Sequence, residues 1–186
     1  MEASEDRLVI LDRDGVVNID SDRFIKHPDE WKPIPGSLEA IALLNQAGFR
    51  VVIATNQSGV GRGLFDMVTL NAIHEKMMDA LNRVGGRVEA VFFCPHAANA
   101  GCDCRKPEIG MFVEISQRYT LPLSQVPCIG DSLRDLQAAQ RAGGQPWLVR
   151  TGKGERTLAT GGLPEGTRVF DNLAEAARVI IAETEA

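Results

Sequence analysis

Leu8-Val9-Ile10-Leu11-Asp12-Arg13-Asp14-Gly15-Val16-Val17-Asn18 is the stretch on which the fold turns. Four consecutive apolar residues read as a short strand buried on both faces. The run ends in two aspartates one residue apart, then a glycine. Ligands of an open α/β sheet bind just beyond the carboxyl ends of its strands, so both carboxylates stand where a reaction centre is expected. On an extended backbone, side chains at i and i+2 point the same way. That arrangement suits a shared Mg2+, or a nucleophile beside an acid/base. Taken alone, the same residues read equally well as an acidic turn, with Asp14-Gly15 as ordinary turn chemistry.

Working outward, Ile19 to Pro35 is proline-rich and too irregular for a long helix; it reads as a flap over the Asp12/Asp14 end. A helix is expected from Gly36-Ser37, with Ser37 as N-cap and Gly48 as stop. Arg50 to Ala54 is a β-branched strand that ends in Thr55-Asn56-Gln57-Ser58-Gly59. Gly59 to Gly63 reads as a flexible loop whose spacing does not fit a nucleotide-binding glycine motif. Asp66 to Val84 has apolar residues at helical spacing, Leu70, Ile73, Met77 and Leu81, and carries His74 as a structural or solvated residue. Further strands are expected over Val88–Phe93, Val126–Ile129 and Pro146–Arg150, with a short edge strand at Arg168–Phe170. Helices are expected over Gly110–Tyr119, Leu133–Ala142 and Leu173–Glu183, and a surface loop over Thr151–Gly166. Strands alternating with helices predict an α/β, Rossmann-like three-layer sandwich around a parallel sheet. No linker or repeat divides the 186 residues, which read as a single domain.

The formal net charge of -5 argues against broad nucleic-acid or membrane-surface binding. Met1 to Arg7 is polar and acidic and lacks a signal-peptide pattern, and no apolar run reaches the roughly 20 residues of a membrane span. A cytoplasmic location is expected, where four cysteines are not structural disulfides. Nothing in the pattern calls for an obligate partner chain, so a monomer is expected.

Polar residues gather at successive strand ends: Asp12 and Asp14, Thr55 and Asn56, Asp131, and Lys106 after a fourth strand. One such end is a turn; this set has a mechanism. Two carboxylates and a backbone carbonyl can hold Mg2+, which offsets repulsion between an anionic nucleophile and a phosphoryl group. Asp12 would attack phosphorus to form an aspartyl-phosphate, and Asp14 would protonate the leaving alkoxide, then deprotonate water. Thr55, Asn56 and Lys106 would bind the equatorial oxygens.

Asp12-Arg13-Asp14-Gly15, Thr55-Asn56, Lys106-Pro107 and Gly130-Asp131-Ser132-Leu133-Arg134-Asp135 resemble the four ordered motifs of the haloacid dehalogenase superfamily of phosphatases. The resemblance implies a Rossmann-like fold, Mg2+ dependence and the roles just given. It also implies that Asp14 binds the metal through its backbone carbonyl, that Ser132 adds an outer contact and that Asp135 supports the ligands.

Cys94-x-His96, five residues, then Cys102-x-Cys104 supplies three thiolates and one imidazole. That is the closed ligand count of a structural zinc, which would staple a loop lacking its own core. The remaining cysteine, Cys128, lies in a strand and reads as core.

The zinc loop, Thr55-Asn56-Gln57-Ser58-Gly59, Arg62-Gly63 and Thr151-Gly152-Lys153-Gly154 together resemble one branch, the heptose 1,7-bisphosphate 7-phosphatases of lipopolysaccharide-precursor synthesis. The resemblance implies a sugar bisphosphate losing its C7 phosphate and no large cap domain; the sequence does not fix the anomer, with beta slightly favoured. It makes Arg105 the holder of the uncleaved phosphate and places Asp20, Ser21, Asp22 and Arg23, with Thr55 to Ser58, around the substrate. The short span between His96 and Cys102 also occurs in histidinol-phosphate phosphatases, the alternative; those carry aspartate where Ser58 stands. A nucleic-acid 3′-phosphatase lacks support from the charge, and a non-enzymatic zinc domain would not need Asp12, Asp14, Lys106 and Asp131 together.

Overall fold

Residues of both parities in the first strand are apolar, and the fold buries both. The computed structural model describes residues 7–186; the rest of the acidic start discussed above lies outside the described residues. β1 (Leu8–Leu11) sits inside a six-stranded parallel sheet of order β3-β2-β1-β4-β5-β6. The other strands are β2 (Arg50–Asn56), β3 (Ala90–Cys94), β4 (Pro127–Gly130), β5 (Gln145–Val149) and β6 (Arg168–Phe170). Val9 and Leu11 pack with α1 (Ser37–Gln46), α3 (Met67–Arg83) and α7 (Leu173–Glu185) on one face. Leu8 and Ile10 pack with α4 (Gly110–Tyr119) and α5 (Leu133–Arg141) on the other. Val9, Ile10 and Leu11 are at most 2% exposed, and each such burial contributes about 1.5–3 kcal/mol. The strand order reverses between β1 and β4, which opens a crevice at their carboxyl ends.

The Ile19–Pro35 segment folds back as expected. Ile34 N–H donates to the Val17 carbonyl at 3.0 Å, Ile19 N–H donates to Lys32 at 2.9 Å, and Trp31 is sunk in the core at 1% exposure.

Several local expectations change. Gly36, at φ 87°, takes the N-cap position of α1; the Ser37 hydroxyl instead donates to the Val16 carbonyl at 2.7 Å and ties the helix to the turn after β1. The expected loop at Gly59–Gly63 begins as a helical turn, α2 (Ser58–Gly61), closed by Arg62 N–H donating to the Ser58 carbonyl at 2.9 Å, and its Gly61 N–H donates to the Pro95 carbonyl at 2.8 Å. A Cβ at Gly61 would press on Pro95 and Ala97, so this glycine permits close docking of the cysteine loop. Within the expected Thr151–Gly166 loop lies α6 (Gly154–Thr160), whose Thr157 hydroxyl donates to the Asp131 carbonyl at 2.8 Å. β2 continues to Asn56, β3, β4 and β5 shift by a residue or two, and β6 has the expected bounds.

Candidate active site

β1 delivers Asp12 into the crevice and β4 delivers Asp131 beside it. Asp135 joins them from the first turn of α5. Each places a carboxylate oxygen within 4.8 Å of the others. Asp135 Oδ2 accepts from the Asp131 and Ser132 N–H groups at 3.1 Å and from the Ser132 hydroxyl at 2.9 Å, which caps α5. Asp131 Oδ2 accepts from Lys153 N–H at 2.8 Å. Gly15 and Gly152 approach so closely behind Asp131 that a Cβ on either would collide with its carboxylate.

Lys106 is the internal counter-charge. Its Nζ lies 3.0 Å from Asp12 Oδ1, 2.7 Å from Asp135 Oδ1 and 2.7 Å from the Ala54 carbonyl, at 2% residue exposure. Burial opposes the ammonium, but Asp12 and Asp135 outweigh it and hold Lys106 charged well above its usual range. Burial, then Asp135, pushes Asp12 up to about 7 against the pull of Lys106. Burial, then Asp12 and Asp135, pushes Asp131 up to about 9. Burial works against Asp135 as well, yet Lys106 and Ser132 keep it below the usual carboxylate range. One lysine does not balance these carboxylates. An all-oxygen set with excess negative charge fits Mg2+.

Asp14 is held differently. Its Oδ1 accepts from Arg13 Nη2 at 2.8 Å, Arg13 Nε at 3.0 Å and Asn18 Nδ2 at 2.9 Å; its Oδ2 accepts from Gln57 Nε2 at 3.1 Å. Burial would raise this carboxyl, but the Arg13 guanidinium and these hydrogen bonds hold it below its ordinary value. Arg13 is fully buried, and its Nη1 lies 3.1 Å from His74 Nε2. Both residues belong to the site's support, and sequence reading missed both roles. An arginine between two aspartates looks like surface charge, and a histidine on an amphipathic helix carries no local signal.

Thr55 and Asn56 are less available than expected. The Asn56 side chain pairs with the Lys106 backbone in both directions, at 3.1 and 3.0 Å. The Thr55 hydroxyl accepts from Gln57 Nε2 at 2.9 Å, and Thr55 is 1% exposed. Asn56 therefore pins the loop that presents Lys106, while Thr55 and Gln57 brace Asp14.

Cys94, His96, Cys102 and Cys104 converge as a second cluster. Cys94 Sγ lies 3.7 Å from Cys102 Sγ, 3.4 Å from His96 Nδ1 and 2.9 Å from Cys104 Sγ; His96 Nδ1 lies 3.2 Å from Cys104 Sγ. Ligands about 2.0–2.3 Å from a tetrahedral zinc stand a little under 4 Å apart; the donor set fits that ion, with Cys94 and Cys104 needing to separate to hold it. Cys128 is buried in β4, as expected of a core thiol, and burial pushes it up to about 12.

Between flap and strand ends lies a cavity of about 250 Å³. Asp12, Asp14, Asp20, Ser21 and Asp22 line it, as do Asn56, Gln57, Ser58, Arg105, Lys106, Asp131 and Ser132. Thr55 is not among its lining residues, and Arg23 lines a neighbouring cleft, thrown outward by the turn in which Phe24 N–H donates to Ser21. Sequence reading missed Phe24, Arg62, Arg134 and Lys153 as lining residues. Lys153 Nζ reaches across to Asp20 Oδ2 at 3.4 Å. Burial, then the nearby Arg134 and Arg62, holds the Arg105 guanidinium below its ordinary value.

Comparison with known proteins agrees with this geometry. A family model described as polynucleotide kinase 3 phosphatase matches residues 8–135, and one described as HAD-hydrolase-like matches residues 103–176. A D-glycero-beta-D-manno-heptose-1,7-bisphosphate 7-phosphatase of Bordetella bronchiseptica is 62% identical, over 95% of this chain and 99% of its own. The protein of the same name from Pseudomonas aeruginosa is 51% identical, over 94% of this chain and 97% of its own. A crystal structure of the D,D-heptose 1,7-bisphosphate phosphatase from B. bronchiseptica, complexed with magnesium and phosphate, superposes with a TM-score of 0.94; it covers 95% of this chain and 99% of that one at 62% identity.

Proposed function

The chain belongs to the D-glycero-beta-D-manno-heptose-1,7-bisphosphate 7-phosphatase family of HAD-like hydrolases, and from that membership we propose that it removes the C7 phosphate of the beta-configured heptose 1,7-bisphosphate, with Mg2+ as cofactor. It is a phosphoric monoester hydrolase. Relatives at 62% and 51% identity carry the heptose enzyme's name, which sets the histidinol-phosphate alternative aside.

The observation that carries the reading is the meeting of Asp12, Asp131 and Lys106 in one cavity with Arg105, whose buried Nη1 has no hydrogen-bond partner among the described residues. Mg2+ held by Asp12, Asp131 and the Asp14 carbonyl, with Ser132 nearby, would neutralise charge on the phosphoryl group. Asp12 Oδ forms a bond to phosphorus as the bond from phosphorus to the C7 oxygen breaks, leaving an aspartyl-phosphate. Asp14 gives the C7 alkoxide a proton and then takes one from the water that hydrolyses the acyl phosphate. Its contacts with Arg13, Asn18 and Gln57 favour the ionised form, which suits the second step. Lys106 meets the equatorial oxygens; Thr55 and Asn56 act by fixing Gln57 and Lys106. Asp20, Ser21 and Asp22 face the sugar from the flap.

Zinc at Cys94, His96, Cys102 and Cys104 would hold the loop that ends in Arg105 and Lys106. Free thiols of this kind suit a reducing compartment, hence the cytoplasm. Every residue in this scheme comes from one chain, so a monomer, working as one domain, is sufficient.

Phosphate release with Mg2+ tests the reading, comparing both anomers of heptose 1,7-bisphosphate with histidinol phosphate. The beta bisphosphate should give the highest kcat/KM. A higher value for histidinol phosphate would overturn the substrate while leaving the chemistry in place.

A further inference from the structure

We infer that Arg62, Arg105 and Arg134 form one three-guanidinium subsite for the phosphate that is not cleaved, and that it excludes substrates carrying an ammonium group at that end. The inference rests on the bisphosphatase reading and extends the role given to Arg105 alone. The three residues come from separate elements: the turn after β2, the end of the cysteine loop and the first turn of α5. All three line the same cavity.

Charge in this cavity is segregated. Asp12, Asp135, Asp14 and Asp20 have cationic partners in Lys106, Arg13 and Lys153. Among the described residues, no carboxylate pairs with Arg62, Arg105 or Arg134; Arg134 and Arg62 oppose the charge on Arg105, and the Cys94 and Cys102 thiols favour it. Three guanidinium groups that line one cavity without a carboxylate paired to any of them suit an anion placed between them. The Nη1 of Arg105 is buried and has no hydrogen-bond partner among the described residues, so this guanidinium is not fully satisfied by the protein itself. Arg62 is held in place over the Phe24 ring, 5.5 Å from its centroid. A phosphate dianion offers acceptors to several guanidinium forks at once. The ammonium of an amino-alcohol phosphate would meet like charges at the same place.

The test measures kcat/KM for heptose 1,7-bisphosphate and for the heptose 7-phosphate that lacks the C1 phosphate. Wild type, Arg62→Ala and Arg134→Ala are compared. Both side chains are solvent-exposed, so the folded state should tolerate the changes, and melting temperatures check this. The ratio of the two kcat/KM values should fall about 10-fold or more in each variant, mainly through KM for the bisphosphate. Because both substrates are read on the same preparation, a modest loss of folded protein cancels in the ratio. A ratio unchanged in either variant overturns the three-arginine subsite. A wild-type ratio near one overturns the bisphosphatase reading itself.

Discussion

Two clusters of potential metal ligands flank Arg105 and Lys106, and they are built in opposite ways. Asp12, Asp131 and Asp135 come from distant points in the chain and stand at the ends of strands or in the first turn of a helix. They carry an internal cation, Lys106, and a shell of backbone N–H donors. Cys94, His96, Cys102 and Cys104 lie close together in sequence, at the end of β3 and on the loop that follows it, with His96 exposed. The carboxylates draw their order from the sheet and its hydrogen bonds. The thiol loop docks through backbone bonds from Gln57 and Gly61, and a metal would tie its two cysteine pairs together. The clusters meet where Asn56 stands opposite Cys94 in the β2–β3 register and bonds the Lys106 backbone.

Lys106→Ala strikes the self-supporting side and should have the largest effect on stability. It leaves Asp12 and Asp135 buried without their shared cation. Breaking a buried charge network from one side costs about 3–5 kcal/mol, measurable by urea unfolding without Mg2+. Saturating Mg2+ should restore part of the loss, since it replaces positive charge in the same cluster. A loss below 1 kcal/mol would mean that backbone donors alone sustain the carboxylates.

Cys102→Ser strikes the metal-dependent side. Its expected consequence is loss of bound zinc, a lower melting temperature and a kcat about 100-fold down at saturating Mg2+, because Lys106 and Arg105 follow the loop directly and small displacements are costly. Metal analysis, calorimetry and phosphate release read the three quantities. An unchanged kcat after zinc loss would show that Asn56 alone positions Lys106 and that the clusters are independent.

The same contrast separates what a sequence makes legible from what it does not. β1, the aspartates at its end and the helix Gly110–Tyr119 follow from apolar runs and spacing within a few residues. The thiol cluster is legible because its ligands are neighbours in the chain. α6 was hidden in a glycine-rich stretch, since its Thr157 anchors on a carbonyl 26 positions away. Arg134 is adjacent to a motif aspartate, but nothing local distinguishes a cavity-lining arginine from a solvated one. Arg13 is the clearest failure. Its full burial depends on a carboxylate beside it and on His74, 61 positions along the chain.

That last contact yields the smallest predicted effect and probes how firmly Asp14 is braced. Burial, then the Arg13 charge, pushes His74 down to about 3, with Asp14 only partly offsetting them. The folded protein thus holds a neutral imidazole whose Nε2 accepts from Arg13, leaving the proton on Nδ1. In the unfolded chain the ring ionises near pH 6.5. Below that pH the unfolded state binds one more proton than the folded state, so stability falls as pH drops from about 6.5 towards 3, at up to about 1.4 kcal/mol per unit. His74→Gln keeps an acceptor for Arg13 but does not titrate. Urea unfolding of both proteins at pH 7, 6 and 5, with Mg2+ present, isolates the difference. The variant should be the less stable at pH 7, from imperfect packing, and should gain on wild type as the pH falls. Parallel curves would mean that His74 accepts a proton while folded. Arg13 would then have to turn away from the ring, and the bidentate hold on Asp14 would not be the rigid brace that its geometry suggests.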